Sequence, residues 1–94
     1  MTTIGIVGCG AIGQALLKAS EGGTLTPPIT GITSRTEGLA RAFLTTLNNP
    51  PEYCSQTELI AKSDLIVEAA GSAVVPELAF EVFQSGKDLM AISI

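Results

Sequence analysis

The chain has 94 residues, 46% of them hydrophobic and only 4% aromatic, which bounds it to one domain with an aliphatic core. A formal charge of −4 argues against a nucleic-acid backbone as partner. The absence of histidine removes the commonest general base and the commonest metal ligand, so acid–base chemistry would fall to Lys, Asp, Glu or Tyr, or to a histidine outside this chain.

Met1-Thr2-Thr3 lacks the basic start of a secretory leader, and no apolar run is long enough to cross a bilayer. Ile4–Val7 is a short apolar run rich in β-branched residues and reads as a buried strand. From Ala11 the period changes: Ile12, Ala15, Leu16 and Ala19 recur at helical spacing until Gly22-Gly23. Thr26-Pro27-Pro28 connects to a second strand, Ile29–Thr33, where Gly31 signals close approach of a neighbour. Glu37–Leu47 reads as a helix with a stripe of Leu39, Ala40, Phe43, Leu44 and Leu47, ended by Asn48-Asn49-Pro50-Pro51. Tyr53-Cys54 is a candidate third strand of minimal length. Thr57-Glu58 opens a short helix through Lys62, and Leu65–Glu68 is a fourth strand. Ala69-Ala70-Gly71-Ser72 is a small-residue loop. Pro76 suits the first turn of a helix to Ser85 with Val75, Leu78, Ala79, Val82 and Phe83 facing the core. Gly86 closes it before a last strand, Leu89–Ile92.

Apolar strands alternating with helices predict an α/β fold with a parallel sheet covered on both faces. Right-handed crossovers narrow this to a Rossmann-type doubly wound sheet of order 3-2-1-4-5. Cys9 and Cys54 are too few and unpatterned for a disulfide framework or a zinc site, so the sequence reads as a cytoplasmic protein without a metal.

Gly8-Cys9-Gly10-Ala11-Ile12-Gly13 matches G-x-G-x-x-G between a predicted strand and a predicted helix, the context the dinucleotide motif requires. The first glycine allows the tight turn, the second lets the backbone approach a pyrophosphate, and the third lets the helix lie against the strand. Free N–H groups at the helix start then face the phosphates. The stretch also bears a superficial resemblance to the first loop of S-adenosylmethionine methyltransferases, but the last glycine interval is two residues and no acid precedes it. About 20 residues on, where NAD sites carry a carboxylate for the ribose, the chain has Ser34, Arg35 and Thr36. Ser34 and Thr36 can donate to a 2′-phosphate, and Arg35 can pair with one, which favours NADP; the alternative is a solvated loop arginine. Glu37 is near enough to leave NAD open.

"IGIVGCGAIGQALLKA", "LIAKSDLIVEAAGSAVV" and "SGKDLMAISI" resemble the N-terminal domain of L-aspartate dehydrogenases across nearly the whole chain. Homoserine dehydrogenases and dihydrodipicolinate reductases share that architecture. The resemblance implies NAD(P)-dependent oxidative deamination of aspartate to iminoaspartate. It places Gly8, Gly10, Ala11, Ile12 and Gly13 on the pyrophosphate, and Ser34 and Arg35 at the adenosine ribose. Ala69, Ala70, Gly71 and Ser72 would border the nicotinamide-side ribose, and Ser93 would approach the nicotinamide. The family often has Asp-Arg where this chain has Ser34-Arg35, a departure toward NADP. Family members are more than twice as long, and their second domain carries the catalytic histidine. The expectation is therefore a cofactor domain lacking its C-terminal catalytic part, inactive alone and with no catalytic residue of its own. A homodimer or that missing domain would cover the apolar "LMAISI" strand. The alternative is a stand-alone NAD(P)-binding or sensing module.

Other candidates read as structural or open. Cys9 fits a small side chain in a crowded turn better than a redox thiol. Glu68 is balanced between a functional carboxylate and a loop contact. Lys62, Asp64, Lys87 and Asp88 read as solvated turns.

Overall fold

In the computed structural model, which describes residues 2–93, β1 (Ile4–Val7), β2 (Ile29–Thr33), β3 (Glu52–Tyr53), β4 (Leu65–Glu68) and β5 (Asp88–Ala91) form one parallel sheet. Its order is β3-β2-β1-β4-β5, the doubly wound arrangement expected. The helices are α1 (Ala11–Glu21), α2 (Glu37–Leu44), α3 (Gln56–Lys62) and α4 (Val75–Gln84), the last preceded by a 3-10 turn over Ser72–Val74.

Strand alternation sorts the apolar side chains into two cores. Ile4, Ile6, Ile32 and Val67 pack with Leu17 of α1 and Leu44 of α2 on one face. Val7 and Ile66 pack with Leu59 and Ile60 of α3 and Leu78 and Val82 of α4 on the other. Gly31 behaves as its position predicts: a Cβ there would lie 3.0 Å from Cys54 Sγ, Leu59 Cδ1 and Lys62 Cε.

Several sequence expectations need correction. The buried residues of α1 are Gly13 and Leu17, because the third glycine sets which side meets the strand; of the residues at helical spacing, Leu16 packs partly buried against the core while Ile12 is exposed. The second helix ends at Leu44 rather than Leu47. The Thr45 and Thr46 hydroxyls donate to Ala42 O and Phe43 O, and the Leu47 N–H returns to Leu44 O, so the last turn tightens and stops. Leu39 and Phe83 are exposed instead of core, since each lies beyond the arc of its short helix that meets the sheet. The third strand is Glu52–Tyr53, one residue early, although the Cys54 N–H still bonds Ile32 O. The fifth is Asp88–Ala91, with the Ile92 N–H bonded to Glu68 O just past its end. α3 starts at Gln56 because Ser55 and Glu58 form a capping box. The fourth helix runs Val75–Gln84, and Ser72 begins the 3-10 turn instead of closing a plain loop.

Three of the four charges read as solvated turns are also tied down, while Asp88 is exposed. Lys87 Nζ donates to Ala61 O and Ser63 O at the C-terminus of α3, where the carbonyls lack helical partners. Asp64 accepts from the N–H and hydroxyl of Thr3, and Lys62 pairs with Glu52 at 2.6 Å.

Candidate functional site

β1 and β4 are neighbours, while the chain leaves β1 toward β2, so a crevice opens where the strand order reverses. The ends of β1, β2 and β4 are tied into one rim: the Gly8 N–H donates to Thr33 O and the Ala69 N–H to Val7 O, both at 2.8 Å. Above the rim lies a cleft of about 510 Å³ lined by Gly8, Cys9, Gly10, Gln14, Ser34, Arg35, Thr36, Leu39, Ala69 and Ala70.

The glycines have separate physical tasks. Gly8 has φ of 110°, and a Cβ there would lie 2.7 Å from the backbone of Ala69 and Ala70. At Gly13 a Cβ would collide with Gly8 O, so this residue lets α1 press against the turn from beneath. At Gly10 a Cβ would meet nothing within 4 Å, leaving the space over the helix start clear. Gly10 caps α1 without a side chain, and the first turn holds no acidic residue, so its N–H groups remain available to an anion. The Gln14 amide steadies the turn by donating to Cys9 O at 3.2 Å. Burial pushes the Cys9 thiol up from its ordinary range, the opposite of a reactive cysteine.

On the β2 side, Ser34 Oγ accepts the Thr36 N–H at 3.2 Å and lies 3.2 Å from Thr36 Oγ1. Tyr53 Oη donates to Ser34 O at 2.7 Å and accepts the Ser34 N–H at 3.3 Å. Arg35 is exposed at the cleft and makes no ion pair among the described residues. Glu37 does not line the cleft; its carboxylate accepts from Arg41 Nε at 2.6 Å.

On the β4 side, Glu68 is fully buried. Its carboxylate accepts the Ala70 and Gly71 N–H groups, both at 2.8 Å, the Ser93 N–H at 3.3 Å, and the Ser93 hydroxyl. Burial pushes this carboxyl up, but the bonds from Ser93, Gly71 and Ala70 outweigh it and hold it below the usual range. Glu68 thus accepts from the loop and braces it, the loop contact that was one of its two readings.

The structure therefore gathers Gly8, Gly10, Ser34, Arg35, Thr36, Ala69 and Ala70 at one cleft, with Ala11 and Ile12 exposed at the adjoining helix start. Gly13 lies under the turn; Gly71 and Ser93 are engaged with Glu68; Ser72 is exposed on the 3-10 turn. Sequence reasoning missed Gln14, Leu39 and Tyr53. Leu39, an apolar side chain off the core arc of α2, walls the cleft, and its helical spacing carried no signal of that.

The donor set and clear space fit an extended ligand carrying phosphates. A family model described as "Homoserine dehydrogenase, NAD binding domain" matches residues 8–94. An L-aspartate dehydrogenase of Methanocella arvoryzae is 33% identical over 94 residues, covering 100% of this chain and 35% of that protein. The chain thus spans about a third of the length of the curated relatives it matches. An oxidoreductase structure from Thermotoga maritima superposes with a TM-score of 0.77 at 25% identity, over 96% of this chain and 29% of that one. A myo-inositol dehydrogenase from Lactobacillus casei, solved with NAD(H) and myo-inositol, shares the fold with a TM-score of 0.79 at 17% identity, over 97% and 28%. No helix among the described residues is long and apolar enough to cross a membrane.

Proposed function

The chain belongs to the family of homoserine dehydrogenase NAD-binding domains, and from that premise we propose that its cleft takes NADP in preference to NAD, as the cofactor domain of an enzyme that oxidises aspartate to iminoaspartate. One observation carries the cofactor choice. Ser34, Arg35 and Thr36 share a cleft with Gly8 and Gly10, and no carboxylate lines it.

In this reading the N–H groups of the Gly8–Gly13 turn and the start of α1 bind the pyrophosphate, with Gly13 acting from beneath. Arg35 pairs with the 2′-phosphate, and the Ser34 and Thr36 hydroxyls bond it. Ala69 and Ala70 border the nicotinamide-side ribose, while Gly71, Ser72 and Ser93 shape that end of the cleft. When bound, the nicotinamide supplies a hydride acceptor. The substrate is inferred from the name of the Methanocella arvoryzae relative together with the "VEAA" and "GKDLMAIS" stretches. A reducing cytoplasm suits two free cysteines.

Met90 on β5 and Phe80 and Phe83 on α4 are all more than half exposed. These exposed apolar side chains, Met90 on the Val67 side of the sheet and the phenylalanines on the helix of the other side, support a domain covered by a catalytic domain or a second copy over a stand-alone sensing module.

Titration with NADPH, NADH and S-adenosylmethionine tests the reading. NADPH is expected to bind about tenfold tighter than NADH, the scale of one charge-assisted bond. Arg35→Ala should remove that margin. No response to either nicotinamide cofactor overturns the reading, and a response to S-adenosylmethionine alone restores the methyltransferase alternative.

A further inference from the structure

The turn that would meet a 2′-phosphate is shaped from another strand. We infer that Tyr53 is the positioning residue for 2′-phosphate recognition, an inference that rests on the NADP reading above.

Tyr53 stands in register with Ile32 of β2. Side chains in register on parallel neighbours share a face, as do side chains two apart on one strand. Ser34, two residues beyond Ile32, therefore falls on the Tyr53 side just past the strand end. The phenol bridges that step: Oη donates to Ser34 O and accepts the Ser34 N–H, engaging both of its backbone groups. With its backbone fixed, Ser34 Oγ accepts the Thr36 N–H, and Arg35 between them is turned to the cleft rim.

The ring itself is held. It is half-buried against the core of Ile32 and its neighbours, and the Arg41 guanidinium lies 4.8 Å from its centroid. Arg41 also engages Glu37, the first carboxylate after β2. One side chain thus covers the ring and occupies the carboxylate nearest the turn.

Removing the hydroxyl would leave the ring packed while releasing Ser34. The effect should fall on a ligand that reaches the turn through a 2′-phosphate and spare one that lacks it. In Tyr53→Phe, NADPH binding is expected to weaken about three- to tenfold, with NADH held within about twofold. The chain has a single tyrosine and no tryptophan, so 3-fluorotyrosine labels Tyr53 alone. In the labelled, otherwise unsubstituted protein, 2′,5′-ADP should shift the fluorine resonance and 5′-AMP should not.

The outcomes separate. Equal NADPH and NADH affinities in the unsubstituted protein overturn the 2′-phosphate reading and this inference together. A preference left undiminished in Tyr53→Phe overturns the role of Tyr53 alone, as does an equal loss for both cofactors, the mark of a merely structural residue. Should the variant fold poorly, the fluorine signal decides: no shift with 2′,5′-ADP overturns the inference.

Discussion

The two loops that rim the cleft are held by opposite chemistry. The Ser34–Thr36 turn is tied by neutral groups, a phenol and a serine hydroxyl, and its one charged residue, Arg35, has no ion pair among the described residues. The Ala69–Gly71 loop is pinned by a buried anion, the Glu68 carboxylate, with donors from Ala70, Gly71 and Ser93 around it. The first arrangement leaves a cation available to a ligand. The second places a negative charge close to the cleft yet saturates it with protein donors. The Glu68 carboxylate is engaged by protein donors, and no carboxylate lines the cleft beside Ser34, Arg35 and Thr36.

The largest effect that could break this contrast is at Glu68. Glu68→Ala strands the Ala70 and Gly71 N–H groups and leaves Ser93 without its acceptor. A cost of about 3 kcal/mol is expected, because buried donors are left unmade and a charged acceptor is lost. Urea unfolding of the variant beside the unsubstituted protein measures it. A cost below about 1 kcal/mol would place both loops in the same class, neutral and weakly held.

The two sides also differed in how well the sequence revealed them. The sheet order and the glycine turn were legible because they rest on local signals: apolar runs, period changes, and glycines between a strand and a helix. Ser34, Arg35 and Thr36 were legible by distance from the turn. Tyr53 was not, since its bond to Ser34 joins residues 19 apart in sequence and depends on strand register. Glu68 was seen but left undecided, because only the pairing of β4 with β5 brings Ser93 to it. Leu39 and Phe83 looked like core because a period marks one side of a helix but not how wide an arc a short helix buries.

Acid sharpens the contrast with a smaller effect. The folded Glu68 carboxyl lies below its ordinary value, so between the folded and unfolded values the unfolded chain binds more protons. The stability it contributes is complete above the unfolded value, about 4.3 for glutamate, and is lost as pH falls through the folded one. Glu58, held down by bonds from Ser55, and Asp64, held down by Thr3, share the direction of this acid loss. Urea unfolding from neutral pH to about pH 3 should show a shallower decline in Glu68→Gln than in the unsubstituted protein. Identical slopes would mean that the buried carboxyl is not the ionised brace.

The smallest effect is expected on the neutral side, at Arg41. Its pair with Glu37 is close, 2.6 Å, but the two side chains are 59% and 56% exposed and one turn apart on α2. Such pairs contribute about 0.3–0.5 kcal/mol, so Arg41→Ala should barely move the unfolding midpoint. Its consequence lies instead in where the Glu37 charge goes. Once released, that carboxylate is the nearest anion to the turn, and it should weaken NADPH binding by about twofold at low salt while leaving NADH unaffected. Because the groups are exposed, the effect should fade as ionic strength approaches about 1 M, where charges are screened within about 3 Å. Adding Glu37→Gln to Arg41→Ala should restore NADPH affinity at low salt. If it does not, the loss came from uncovering the Tyr53 ring, and the work of Arg41 is to hold the phenol in place.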